Sequence, residues 1–429
     1  MSAYKPYPKY KDSGVRWLGR VPEHWKLREL KTFTSFCGGG TPSRDNPNYW
    51  GGDIPWVSPK DMKSERIRDV EECITSAGLD SSSTSIIPVG QVLMVVRSGI
   101  LKHTIPVAIN EVPVALNQDM KSMHFEPKSC TSAFFFRWVS GLNDSLLLAW
   151  AKQGATVESI EHSYLAETLV ALPPLPEQTA IATYLDRETA KIDTLIEAQR
   201  RMIDLLKEKR SALISHAVTK GLNPDAPMKE SGVPWLGKVP EHWKVLPLRR
   251  ISQICTHRTT SRLFPVGLEH IESWSGRLIE GEAEFEGEGT AFHRGDILFG
   301  KLRPYLAKAW LADRSGEAVG DFHVIRPRAP NVAAFLQRFL LSREAISLID
   351  GSTYGAKMPR ARWEFIGGLA VPIPNPCEQT AIATFLHRET AKIDALIAKT
   401  EKAIGLAQER RSALISAAVT GKIDLREAT

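Results

Sequence analysis

Apolar positions along this chain fall into two regimes. In the first, Leu185, Thr189, Ile192, Ile196, Gln199, Ile203, Leu206, Arg210, Leu213 and Ala217 follow alternating steps of four and three. Leu386, Thr390, Ile393, Ile397, Thr400, Ile404, Ala407, Arg411, Leu414 and Ala418 repeat those steps later in the chain. A mean step of about 3.5 residues keeps one stripe of a helix turned toward a partner and predicts a coiled coil. The polar residues within the stripe would fix register at some cost in stability. No Pro or Gly interrupts 177–220, Gly221 and Pro224 stop the first helix, and Gly421 marks a similar place in the second. Two such seams in one chain most simply bury each other; the alternative is that each packs on its own domain.

The second regime fills 22–175 and 240–375. Short apolar runs bounded by Gly, Pro and Asn, such as Ile54-Pro55-Trp56-Val57, Gln91-Val92-Leu93-Met94-Val95-Val96 and Asp296-Ile297-Leu298-Phe299, predict strands. Apolar helical segments fall near 133–139 and 332–341. Each region is expected to be an α+β globule with its own core.

The two regimes alternate because the chain is duplicated. Residues 12–30 (DSGVRWLGRVPEHWKLREL) and 230–248 (ESGVPWLGKVPEHWKVLPL) agree at 13 of 19 positions, at an offset of 218. Residues 177–197 and 378–398, which open E-Q-T-A-I-A-T, agree at 17 of 21, at an offset of 201. The variable region of the second copy is therefore shorter by 17. Gly154-Ala155 aligns with Gly355-Ala356 near the ends of the two regions. Two repeats of this length are too few for a solenoid and indicate tandem duplication with pseudo-twofold character. The expected order is an N-terminal segment (1–21), a first domain (22–175), a central spacer helix (176–220), a linker opening the second repeat (221–239), a second domain (240–375) and a C-terminal spacer helix (376–429).

Composition narrows the class. With 43% hydrophobic and 24% charged residues in 429, disorder and fibrous architecture are excluded. No stretch approaches the roughly 20 apolar residues that span a bilayer, and the first residues lack the apolar core of a signal peptide, so a cytoplasmic protein is expected. Five scattered cysteines (Cys37, Cys73, Cys130, Cys255 and Cys377) form no C-x-x-C and argue against a disulfide frame or a structural zinc. A net charge of +6 permits nucleic-acid binding without demanding it, and 22–175 holds 14 Lys/Arg against 17 Asp/Glu.

Catalytic signals fail one by one. Gly38-Gly39-Gly40 lacks the G-K-[ST] of a phosphate loop and is expected to be a mobile loop. Asn46-Pro47-Asn48-Tyr49 departs from the N-P-P-[YF] turn of amino-methyltransferases at its third position. Glu23-His24-Trp25 and Glu241-His242-Trp243 have no second cluster to complete a metal or acid–base site, and a packing role for Trp with His at the surface is expected. Neither a nuclease cluster nor a Ser-His-Asp arrangement is evident. Recognition remains. Lys301, Arg303, Tyr305 and Lys308 lie within eight residues, followed by Lys357, Arg360 and Arg362. Arg97, Lys102 and His103 occupy the matching place in the first region, with Asn117 and Gln118 soon after. Arg suits guanine, Lys suits phosphate and Asn or Gln suits adenine, although any one cluster equally describes a solvated face.

Several longer motifs accompany these residues. They are W-L-G-x-V-P-E-H-W at 17–25 and 235–243, G-G-T-P-S at 39–43, W-G-G-D-I-P-W-V-S-P-K-D at 50–61, Asn117-Gln118-Asp119-Met120, G-D-I-L-F-G-K-L-R-P-Y-L at 295–306, and P-x-P-E-Q-T-A-I-A at 174–182. With them, essentially the whole chain resembles the specificity (S) subunit of type I restriction-modification systems. The resemblance implies that 22–175 and 240–375 are target-recognition domains, each reading one half of a bipartite, asymmetric double-stranded DNA sequence. It implies that the two spacer helices form an antiparallel coiled coil that docks two methyltransferase subunits, which nuclease/translocase subunits join. It implies no catalytic residue here, with S-adenosylmethionine, ATP and magnesium held by the partners. Pro376-Cys377-Glu378 carries one residue more than the Pro176-Glu177 junction, which blurs the end of the second domain. Two rivals stand beside this reading: a single-chain DNA methyltransferase or nuclease, whose cofactor motifs are missing, and a duplicated coiled-coil scaffold that binds only proteins.

Overall fold

The computed structural model describes residues 5–152, 157–261, 263–279, 281, 287–355 and 357–426. Gly154, Ala155 and Ala356 of the aligned dipeptides therefore lie outside the described residues. Two helices dominate the chain, α1 (Leu175–Lys220, 46 residues) and α2 (Pro376–Val419, 44 residues). The chain divides into two compact units, Met1–Ala198 with Ala403–Thr429 and Gln199–Lys402. The division cuts through both long helices, because each half of a helix contributes side chains to a different core.

In the first unit a five-stranded sheet runs in the order Thr34–Gly38, Met120–Phe125, Val92–Val95, Val107–Asn110 and Arg66–Ile67. Its central strand, VLMV, is wholly buried, and a continuous apolar run is what a strand covered on both faces requires. Helix Ser132–Gly141 covers the core with Phe134, Phe135 and Trp138, and Thr131 caps it by accepting from the Phe134 amide at 3.2 Å. Trp50–Val57 centres a three-stranded sheet with Ala115–Leu116 and Cys73–Ile74. Lys26–Glu29 pairs antiparallel with Leu169–Leu172, which brings the two ends of the variable region together at the start of α1.

The second unit repeats the plan. Its main sheet runs Ser252–Cys255, Phe322–Pro327, Ile297–Gly300 and Ala309–Leu311, again with a fully buried strand (ILFG) inside it. Lys244–Pro247 pairs with Ala370–Ile373 where α2 begins, and helix Ala333–Leu340 takes the covering place. This main sheet has four strands where its counterpart has five, in keeping with the shorter second copy.

Within each unit the segments of α1 and α2 run antiparallel. In the first, Asp193 accepts from Arg411 at 2.9 Å, while Ile181 and Leu185 share a core with Ile415, Ala418 and Val419. In the second, Asp394 accepts from Arg210 at 2.5 Å, while Ile214, Ala217 and Val218 share a core with Ile382 and Leu386. Leu185, Ile196, Ile203, Ile393 and Ile397 of the seam are buried, and Ile192, Leu206, Leu213, Ile404 and Leu414 are half-buried. Leu195, Leu205, Leu396 and Leu406, off the seam, are exposed. Near the end of α1 burial shifts from Leu213 to Ile214 and Val218, where the helix enters the globular core.

Within each copy the two repeated motifs meet. Trp25 Nε1 donates to Glu177 Oε1 at 2.9 Å, and His24 Nε2 lies 2.8 Å from Glu177 Oε2. Trp243 and His242 hold Glu378 in the same way, at 3.0 and 2.9 Å. Both indoles are fully buried and both imidazoles stay partly exposed. The next residue of each E-Q-T motif ties the helix to its globule: Gln178 accepts from the Thr131 amide and Gln379 from the Val332 amide, at 2.9 and 2.8 Å. Gly221 and Gly421 end the helices in the left-handed conformation, at φ +81° and +70°, each against the Trp of one of these clamps.

Gly38-Gly39-Gly40 is not a loose loop. A Cβ on Gly39 would overlap the carbonyls of Leu116 and Asn117, the Gly40 amide donates to Leu116 O at 2.9 Å, and Trp56 Nε1 donates to Gly40 O at 3.0 Å. The glycines permit close backbone approach, not mobility. Asn46 accepts from the Asn48 amide at 3.1 Å and so caps a short 3-10 turn, Pro47–Tyr49. Among the described residues no helix is long and apolar enough to cross a membrane.

Candidate nucleic-acid interface

In the second unit, the buried strand Ile297–Gly300 leads into a tight reversal at 301–307. Arg303 and Ala307 both adopt the left-handed conformation there, at φ +49° and +48°. That backbone lies against 354–362. The Arg303 amide donates to Pro359 O at 2.8 Å, the Ala361 amide to Lys301 O at 2.9 Å, and Tyr354 and Arg360 exchange bonds at 3.2 and 3.1 Å. Two clusters separated by some fifty residues thus become one surface.

Their side chains divide by role. Arg360 Nη2 reaches Asp321 at 3.0 Å and Lys301 Nζ lies 3.5 Å from the same carboxylate. Burial alone would raise the Asp321 carboxyl, but Arg360 and Lys301 outweigh it and hold the group below the usual carboxylate range. These two cations are thereby fixed as supports. The Arg303 and Lys357 side chains are exposed and have no protein partner among the described residues. Tyr305 is 46% exposed, and the Arg362 guanidinium lies 4.4 Å from the centre of the Tyr354 ring. The outcome is a cationic and aromatic face suited to phosphate, sugar and base edges. Tyr354 and Met358, both 48% exposed, belong to it, yet nothing local in the sequence marks them. Lys308 does not belong. Its Nζ donates to Leu268 O at 2.7 Å, so its charge is spent inside the fold.

The first unit builds the matching surface from other residues. The Ser98 amide donates to Glu158 O at 3.0 Å and the Ile160 amide to Val96 O at 2.8 Å, laying 96–103 beside 158–160. Lys102 and His103 are exposed there, next to exposed Ile100. Arg97 Nε donates to Asp119 Oδ1 at 2.6 Å. Asn117 departs from its expected base-reading role: it is buried, and its Oδ1 accepts from the Asp119 amide at 3.0 Å. It shapes the turn that holds Asp119 toward Arg97. Gln118 is exposed and accepts from the Thr41 hydroxyl. Close by, Lys121 Nζ lies 2.9 Å from His162 Nδ1, and burial pushes both groups down from their ordinary values. That pair also escaped sequence reasoning, because its members lie 41 residues apart.

Comparisons with known proteins agree with this geometry. Residues 22–203 match the type I restriction modification DNA specificity domain. The Escherichia coli type I restriction enzyme EcoR124I/EcoR124II specificity subunit is 32% identical over 206 residues, covering 48% of this chain and 50% of that protein. The chain thus spans about half the length of this relative. The putative MjaX specificity subunit of Methanocaldococcus jannaschii is 24% identical over 95% of this chain and 96% of its own. Among solved structures, a chain from a study of complex assembly and conformational transition of the type I R-M system shares the fold at TM-score 0.66 and 15% identity. That match covers 93% of this chain and 98% of the other. The HsdS subunit from Thermoanaerobacter tengcongensis does so at TM-score 0.53 and 14% identity, over 94% and 98%. Residues 22–203 thus carry a type I restriction modification DNA specificity domain, and nearly the whole chain is similar to type I restriction enzyme specificity subunits in sequence and in fold.

Proposed function

We propose that this chain reads a bipartite, asymmetric double-stranded DNA target, one half-site by 22–175 and the other by 240–375. One observation carries the reading. The two units present corresponding backbone turns with unlike side chains: Lys102, His103 and Ile100 in one, Arg303, Tyr305, Tyr354, Lys357 and Arg362 in the other. A shared frame with different surface groups is what two unrelated half-sites require. The chain supplies recognition without chemistry. Two methyltransferase subunits dock on α1 and α2, and nuclease/translocase subunits join through them. Adenine methylation, ATP-dependent cleavage and the attendant S-adenosylmethionine, ATP and magnesium belong to those partners.

The test exchanges 240–375 for the equivalent segment of another family member and maps methylated adenines in DNA treated with the reconstituted complex. One half-site should change and the other stay. Change in both halves, or in neither, overturns the assignment. A protein-only scaffold would show no DNA binding that weakens steeply with salt.

A further inference from the structure

The two units differ where the globular region meets the long helices. In the first unit, Arg137 donates to Asp186 at 2.7 Å and to Glu65 at 3.1 Å, and Arg411 donates to Glu65 at 2.7 Å and to Asp193 at 2.9 Å. Arg66 stands 3.7 Å from Asp186, so three guanidinium groups face three carboxylates. The offset of 201 that relates the helices places Arg338 at the position of Arg137, Asp394 at that of Asp193, and Arg210 in the role of Arg411. It also places His387 at the position of Asp186. In the second unit Arg210 and Arg277 pair with Asp394 and Glu272, and no described carboxylate is paired with Arg338. Arg210 takes Asp394 at 2.5 Å and Arg277 takes Glu272 at 2.8 Å. Arg338 is left with no ion-pair or hydrogen-bond partner among the described residues. Burial pushes its guanidinium down, with Asp394 the only opposing influence and Arg210 adding to the fall.

A cleft lies beside His387. It measures about 270 Å³ and opens between Ser275, Arg277, Arg338, His387, Thr390 and Asp394. An imidazole is neutral or positive and cannot replace the aspartate's charge. We infer that this cleft is a binding site for a small free oxyanion of phosphate size, held by Arg338 and Arg277 beside His387. A guanidinium fork matches the oxygens of such an anion, and the half-buried Arg338 has no protein partner among the described residues to compete with it. The inference concerns a site that the DNA-reading proposal does not use, and its test contains no DNA.

The full chain is melted in about 20 mM inorganic phosphate and in sodium chloride of equal ionic strength. Phosphate should raise the wild-type melting temperature by about 2–4 °C over chloride. His387→Asp restores the carboxylate of the first unit, so it should lose that increment. Phosphate also stabilises proteins non-specifically, an effect that both chains would show alike. An equal rise in both, or no rise in either, overturns the site. Arg277→Gln, on the open side of the cleft, is the second variant should His387→Asp fail to fold. Isothermal titration should show its phosphate affinity at least about threefold weaker than wild type, and unchanged affinity overturns the site.

Discussion

The indole of Trp25 donates to Glu177 at 2.9 Å across 152 residues of sequence, and that single carboxylate also accepts from the Tyr7 hydroxyl at 2.6 Å. Burial, then the neighbouring Glu177, pushes the Tyr7 phenol far above its ordinary value, so it stays protonated and donates. With His24 against the second oxygen, Glu177 is fully engaged inside the core of the first unit. The entry to the first variable region is thus bolted to the start of a long helix.

Removing that acceptor leaves buried donors unpaired. Glu177→Ala should cost about 2–4 kcal/mol in urea unfolding. Glu378→Ala should cost less, since Glu378 is more exposed and its carboxylate binds Trp243 and His242 alone among the described residues. Equal costs would show that the Tyr7 bond contributes nothing.

Acid should dissolve the ion-pair lock of the first unit. Burial favours protonation of Glu65, but Arg137 and Arg411 outweigh it and hold the carboxyl below the usual range. A depressed folded-state value means stability present above about pH 4.3 and lost as pH falls through the folded value. The stability gap between wild type and Glu65→Gln should therefore be full near about pH 7 and narrow as pH falls below about 4.3, so that it is smaller at about pH 3. A gap unchanged between those two pH values would sink the argument.

Seam and outer face separate cleanly by mutation. Ile203 is 7% exposed and Leu205 60%, two residues apart on one helix. Ile203→Ala should cost about 2–4 kcal/mol, whereas Leu205→Ala should stay within about 0.5 kcal/mol. Comparable losses would mean that the stripe is not the buried face.

On the proposed DNA surface, Arg303→Ala should weaken target binding by about 1–3 kcal/mol and relax preference at one base pair. Lys308→Ala should leave affinity for DNA unchanged, because its ammonium already serves Leu268. A uniform loss across sequences for Arg303→Ala would make it a phosphate contact, and a loss for Lys308→Ala would contradict its inward orientation.

Much of this was legible from residue order alone. The duplication, the two helices with their glycine stops, the seam, and the strand runs at 54–57, 91–96 and 296–299 all rest on local periodicity, which neighbouring residues impose on each other. The sequence also marked E-H-W and E-Q-T as repeated, but not that one grips the other. That bond joins residues 152 apart, and no local rule brings them together. The same limit applies at the candidate interface. Lys301, Arg303 and Tyr305 stood out as a cluster, but only the tertiary fold laid Tyr354 and Arg362 beside them, turned Lys308 inward and folded Asn117 into a turn. His387 shows the point most sharply. In sequence it is one difference among several in the repeated helix, and only the fold places it in one cleft with Arg338, which has no ion-pair partner among the described residues. Periodicity is a property of neighbours in sequence; burial, pairing and net local charge depend on residues distant in sequence that the fold brings together.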